Sequence, residues 1–219
     1  MSNETTNPVV KWILIGVIVV SFCVVGALFL IGAYPAEEYR VARELESRGF
    51  EITYEWVEFN IWKYPIEVVG SDLIVTEDDS RLICQLPHLF FIQFHRCDLA
   101  GLSLDDIGNC RDLHSFHCDD VTRLPADEIR RLVAYVDNAF VLTNAGLNDS
   151  NMADFAKSAT VECLYFYDNT EITDAGLEYL EKIASLRYLG LTGTSITKEG
   201  VDEFKKKRPD VYVYYDGMP

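Results

Sequence analysis

The chain has little positive charge. Its 219 residues carry 19 Lys and Arg against 35 Asp and Glu, a formal net charge of −16. An acidic surface disfavours nucleic acid and anionic lipid as partners. It serves solubility, and it also suits an interaction module that meets a basic partner. Catalytic motifs are missing as well: there is no phosphate loop, dinucleotide fingerprint, metalloprotease motif or serine elbow. The four histidines all fall between His88 and His117, among Cys84, Cys97, Cys110 and Cys118. Such clustering invites a zinc reading, but the spacing is poor. Cys84 to His88 and Cys110 to His114 share a gap yet sit in different phases of the pattern described below. We expect no metal site, no catalytic residues and no cofactor. With Cys163, five cysteines lie beyond the long apolar segment, and an odd number leaves at least one unpaired in a monomer. Cys97 and Cys118 read as small buried residues, Cys163 as a free thiol on the open side of its strand.

One apolar run is long. Trp12 to Ala33 is 22 residues without a charge, ~33 Å as a helix against a hydrocarbon core of ~30 Å. A secretory signal has a shorter apolar region and a small-residue cleavage site, and none precedes Glu37. The expectation is an uncleaved single-pass anchor over 12–33 with a short tail over 1–11. Gly16, Ser21 and Gly26 are five apart, so they do not form a G-x-x-x-G face. Arg40, Arg43 and Arg48 on one flank favour a cytoplasmic remainder by count, whereas the short, nearly neutral N-terminal tail permits either side. The side is left open.

After the anchor, residues 36–48 read as a helix with a partial apolar face of Tyr39, Val41, Ala42 and Leu45, ended by Gly49. Phe50 to Trp56 alternates as a half-buried strand does. Beyond this the chain repeats. Apolar anchors at Leu89, Leu113, Val136, Val161, Leu186 and Val211 stand 24, 23, 25, 25 and 25 residues apart. A second series, Val75, Leu99, Val121, Leu147, Ile172 and Ile196, precedes each anchor by 14 or 15 residues. Periods in this range mark stacked units, each too small to bury its own apolar face. The clearest unit runs Leu186-Arg187-Tyr188-Leu189-Gly190-Leu191, then Ile196 and a helix start at Thr197-Lys198-Glu199-Gly200. The unit before it has Val161, Leu164, Phe166, Asn169 and Ile172-Thr173-Asp174-Ala175-Gly176-Leu177.

These residues, with Leu89, Ile92, Phe94, Cys97 and Leu99, resemble the leucine-rich repeat family in its ribonuclease-inhibitor-like, strand-plus-helix type, similar to membrane-anchored bacterial members. The resemblance implies an α/β fold: a short right-handed solenoid with parallel strands lining a concave face and helices on the convex back. Residues 34–66 would form a helix–strand N-terminal cap over the open core edge, and 67–219 about six repeats.

Alternation assigns the side chains that face away from the core. Phe91, His95, His117, Asp119, Phe140, Tyr165, Tyr167 and Tyr188 are the candidate binding residues. Exposed Tyr and Phe are typical of binding-patch centres, although β-propensity also favours aromatics on strands. His95 and Asp119, on neighbouring strands, come within reach of each other, but nothing supplies a nucleophile beside them. The function expected is a non-catalytic, membrane-anchored protein–protein interaction module whose partner is a protein, not a nucleic acid. The alternatives are a structural or self-associating envelope scaffold and an enzyme with a site near His95 and Asp119.

Overall fold

The computed structural model describes residues 36–56 and 63–216. The expected anchor over 12–33 lies outside these residues. Among the described residues no helix is long and apolar enough to cross a membrane.

The chain forms an α/β fold around one sheet of eight strands, ordered β1 to β8 as in the sequence. A helix over residues 36–47 (α1) comes first. Its Val41, Ala42 and Leu45 are buried, as the apolar face requires, and Gly49 follows at φ 98. Strand β1 (Glu51–Trp56) pairs antiparallel with β2 (Lys63–Ser71). The boundary expected between Ile66 and Glu67 therefore falls inside a single strand.

From β2 onward every pairing is parallel. The elements alternate: α2 (Glu77–Ile83), β3 (Phe91–His95), β4 (Ser115–Asp119), α3 (Ala126–Tyr135), β5 (Ala139–Thr143), α4 (Asp149–Phe155), β6 (Cys163–Tyr165), α5 (Asp174–Leu180), β7 (Tyr188–Gly190), α6 (Lys198–Lys207) and β8 (Tyr212–Tyr214). Between β3 and β4 only a 3₁₀ turn, Ile107–Asn109, stands where the others have a helix.

The strand register defines the period. Ile92, Phe116, Phe140, Leu164, Leu189 and Val213 pair in sequence across the sheet, and all are buried. A second ring layer runs Phe94, Phe116, Phe140, Phe155 and Phe166, with centroid separations of 6.0, 6.3, 5.1 and 5.0 Å. Aromatic contacts of this kind add to area burial. Both expected apolar series hold: the strand anchors and Val75, Leu99, Val121, Leu147 and Ile172 are buried, and Ile196 packs on the same core.

One expectation is corrected. Phe140 is not on the open face; it is wholly buried, as is Leu142 at 1% exposure. The sequence Ala139-Phe140-Val141-Leu142 is apolar at every position, so alternation does not choose between its two faces. The ladder chooses, pairing Phe116 with Phe140 and Cys118 with Leu142. This places the two larger side chains in the core, with Ala139 and Val141 opposite. Four residues separate Val136 from Phe140, against three from Leu113 to Phe116. That single extra residue reverses every side chain of the strand.

Each of the strands β2 to β7 is followed by a left-handed corner. Asp72, Arg96, Asp120, Asn144, Asp168 and Gly193 have φ between 45° and 75° and follow one another at 24 or 25 residues. Asp, Asn and Gly tolerate this region best. The corner amides of Asp72, Arg96, Asp120, Asn144 and Asp168 each donate to a carbonyl of the next unit.

Candidate functional site

The core lies on one side of the sheet, where the buried faces of the helices meet the inward strand residues. The other side carries no packed element among the described residues, and its side chains are half-buried or exposed over most of its area. The register arranges them in rows. In the N-terminal half these are Glu67, Phe91 and Ser115; Val69, Gln93 and His117; Ser71, His95 and Asp119. In the C-terminal half they are Ala139, Cys163, Tyr188 and Tyr212, then Val141, Tyr165, Gly190 and Tyr214. Phe91, His95, His117, Asp119, Tyr165, Tyr167 and Tyr188 are thus on the open face as expected. Tyr212 and Tyr214, which are not among the candidates, extend the same face on the last strand. Ser115, although it alternates outward, is buried.

Five tyrosines gather at the C-terminal end. Tyr165 and Tyr167 have ring centroids 5.7 Å apart, Tyr188 and Tyr212 6.5 Å, and Tyr212 and Tyr214 4.8 Å. Tyr188, Tyr212 and Tyr214 are 47–48% exposed, much for aromatic side chains on a sheet. Gly190 makes the arrangement possible. A Cβ there would stand 2.6 Å from Tyr165 Cδ1 and 2.8 Å from Tyr167 Cε1, so these rings lie over bare backbone. Burial pushes the hydroxyls of Tyr165 and Tyr167 up, with neighbouring Cys163, Tyr188 and Tyr214 adding to it. They stay neutral donors at physiological pH. Cys163, half-buried and free, is also raised by burial and by Glu162.

The N-terminal end of the face is built differently. His95 Nδ1 lies 3.7 Å from Asp119 Oδ2, close enough for charge attraction but not for a hydrogen bond. Burial holds His117 below its usual range. Around the corner, at the entry edge of the strands, is a pocket of about 480 Å³ lined by Glu55, Tyr64, Ile66, His88, Phe90, Arg111, Asp112 and Asp137. His88 Nδ1 is 2.9 Å from Asp112 Oδ2, and His114 Nδ1 is 2.8 Å from Asp137 Oδ1. The ring of the exposed Phe90 stacks on His114, centroids 4.5 Å apart. None of this pocket was anticipated. Its signal is positional: Phe90 immediately precedes β3, while Arg111 and Asp112 lie just ahead of β4 and Asp137 just ahead of β5.

Ser71 is beside His95 in the register, but among the described residues no hydrogen bond joins a serine or cysteine side chain to an imidazole of these histidine–carboxylate pairs; Cys118 faces the core and Cys97 is buried. Among the described residues no cluster of three or more His, Cys, Asp and Glu is placed to hold a metal ion. The cysteines described, Cys84, Cys97, Cys110, Cys118 and Cys163, are all free thiols. The chain matches no family model, and no curated protein is significantly similar to it.

Proposed function

We propose that the chain is a short leucine-rich-repeat solenoid, tethered through residues 12–33 to a membrane, that captures a protein partner on its open strand face and catalyses nothing. The observation that carries this reading is the tyrosine cluster around Gly190: five aromatic side chains on a face that no element covers among the described residues. Burying Tyr against a partner removes large apolar area while satisfying its hydroxyl, which is why Tyr recurs at interface centres. The strand–corner–helix unit repeated at 24 or 25 residues supports the solenoid, and the uncharged 22-residue run supports the tether. The curvature that makes a strand face concave is part of the same proposal. Phe91, His95, His117 and Asp119 extend the face toward the N-terminal end.

Cross-linking in intact membranes with mass-spectrometric identification tests the reading. A distinct partner should be captured by the native chain and lost with Tyr165→Ser/Tyr167→Ser. Unchanged capture by a folded double variant would remove the tyrosine face, and recovery of the chain alone would favour the self-associating scaffold.

A further inference from the structure

We propose that the tyrosine cluster receives a Lys- and Arg-bearing segment of the partner, its cations lying over the tyrosine rings and beside the rim carboxylates Asp168 and Asp216. This rests on the reading above, that the open strand face is where the partner binds. It adds the chemistry of the segment.

The face is one-signed. From Glu67 to Asp216 the outward strand positions hold carboxylates at Glu67 and Asp119 but no Lys or Arg. At the exit edge of the cluster, Asp168 occupies the exposed corner after β6, and its carboxylate has no cation partner among the described residues. Asp216 accepts a hydrogen bond from the Gly193 amide at 2.8 Å and is likewise unmatched by a cation. Arg187, at the entry edge, is engaged by Asp210 at 3.4 Å. An acidic segment would meet repulsion from these groups and from a chain of net charge −16.

The tyrosines point the same way. Elsewhere the fold already seats lysines on tyrosine rings: Lys182 Nζ lies 5.4 Å from the Tyr179 centroid, and Lys205 Nζ 5.4 Å from that of Tyr215. Tyr165, Tyr167, Tyr188, Tyr212 and Tyr214 carry no such cation among the described residues. Their electron-rich ring faces are therefore open to a cation. An ammonium or guanidinium laid across β6–β8 finds rings beneath it and carboxylates at one end, and its aliphatic stem covers apolar ring area.

The test uses the full chain in phosphatidylcholine nanodiscs, with empty nanodiscs as blank, and three fluorescein-labelled peptides of equal length: alternating Lys–Gly, Glu–Gly and Pro–Gly. The Lys peptide should bind saturably, and its affinity should fall about tenfold or more between about 50 and about 500 mM salt. Tyr188→Ser, a change at an exposed ring that leaves the core intact, should weaken it about two- to fivefold. Tyr165→Ser/Tyr167→Ser and Asp168→Asn should each weaken it as well, whereas Glu178→Gln/Glu199→Gln on the helical side should not. Equal binding of the Glu or Pro peptide, no binding at all, or equal weakening by the helix-side variant would overturn the proposal. If membrane cross-linking still depends on Tyr165 and Tyr167 while the Lys peptide shows no preference, the charge assignment fails and the interaction face stands. If cross-linking ignores those tyrosines, the face itself fails.

Discussion

Strands β3–β5 and β6–β8 share one register, yet their units are fastened to one another by different chemistry. In the C-terminal half the fastening is itself periodic. Asp149 accepts from the Thr173 amide at 2.8 Å and its hydroxyl at 2.7 Å, and Asp174 accepts from Thr197 at the same two distances. Each pair links one helix start to the next, and a glycine three residues after each threonine leaves room for the carboxylate. A Cβ on Gly200 would stand 2.2 Å from Asp174 Oδ1. Between these halves Asn169, almost fully buried, donates to the Leu142 and Tyr167 carbonyls and accepts from the Ala145 and Leu147 amides. In the N-terminal half the links are more varied, with the Ser103 amide donating to Ser80 Oγ and the Leu104 amide to Glu128 Oε2 alongside side-chain pairs. Arg96 forks onto Asp72 at 2.7 and 2.6 Å, Arg123 meets Asp98, and His88 and His114 reach Asp112 and Asp137. The backbone repeat does not need repeated side-chain chemistry; apolar spacing and the corner hydrogen bonds maintain it. Freed from that duty, the exposed side chains differ, with histidines and phenylalanines at one end and tyrosines at the other.

The sharpest way to break this comparison is at Phe140, which belongs to the core ring layer rather than to the face. Phe140→Ala should cost about 3–5 kcal/mol of stability, read from urea unfolding, while Tyr188→Ser on the open side should cost under about 1 kcal/mol. Equal, small losses would mean that β5 presents its other face. Next in size is Asn169→Ala, which leaves four buried backbone groups without their partner; we expect a loss of at least about 2 kcal/mol. Asn169→Asp should not rescue it, because the two donated bonds come from the amide nitrogen.

Gly200→Ala sharpens the contrast between halves. It should displace Asp174 and cost roughly 1–2 kcal/mol, and combining it with Asp174→Ala should cost less than the sum of the two. Full additivity would show that the carboxylate–threonine link contributes nothing. The smallest effect is electrostatic. Hydrogen bonds from Arg208 hold Asp210 at about 2, below its ordinary 3.8. Because the folded value is the lower one, this link contributes stability above about pH 4 and loses it as pH falls through about 2. Asp210→Asn should lower stability slightly near neutrality, converge with the native chain below about pH 2, and so flatten the acid limb of the stability curve between; an unaltered acid limb would contradict the link.

How much of this the sequence discloses depends on contrast between neighbouring residues. Leu186-Arg187-Tyr188-Leu189-Gly190-Leu191 alternates apolar with polar or small residues, so its strand and outward Tyr188 are legible directly. Ala139-Phe140-Val141-Leu142 offers no contrast, and the anchor at Val136 is one residue out of step, so its faces are exchanged. The helix starts at Thr173 and Thr197 are legible because a cap and an acid recur together. The entry-edge pocket is not, since Tyr64, His88, Phe90, Arg111 and Asp137 come from four separate units and meet only through the 24-residue stagger. The role of Gly190 is equally hidden. Its absent side chain matters only because Tyr165 and Tyr167 of the preceding unit lie over it.

In the proposed complex the partner meets the tyrosine end of the open strand face. A photo-reactive phenylalanine analogue placed at Tyr188, and separately at Glu178 on the helical side, tests it most directly in intact membranes. A cross-linked partner should be recovered from position 188 and none from 178. Partner capture from 178 alone would contradict it.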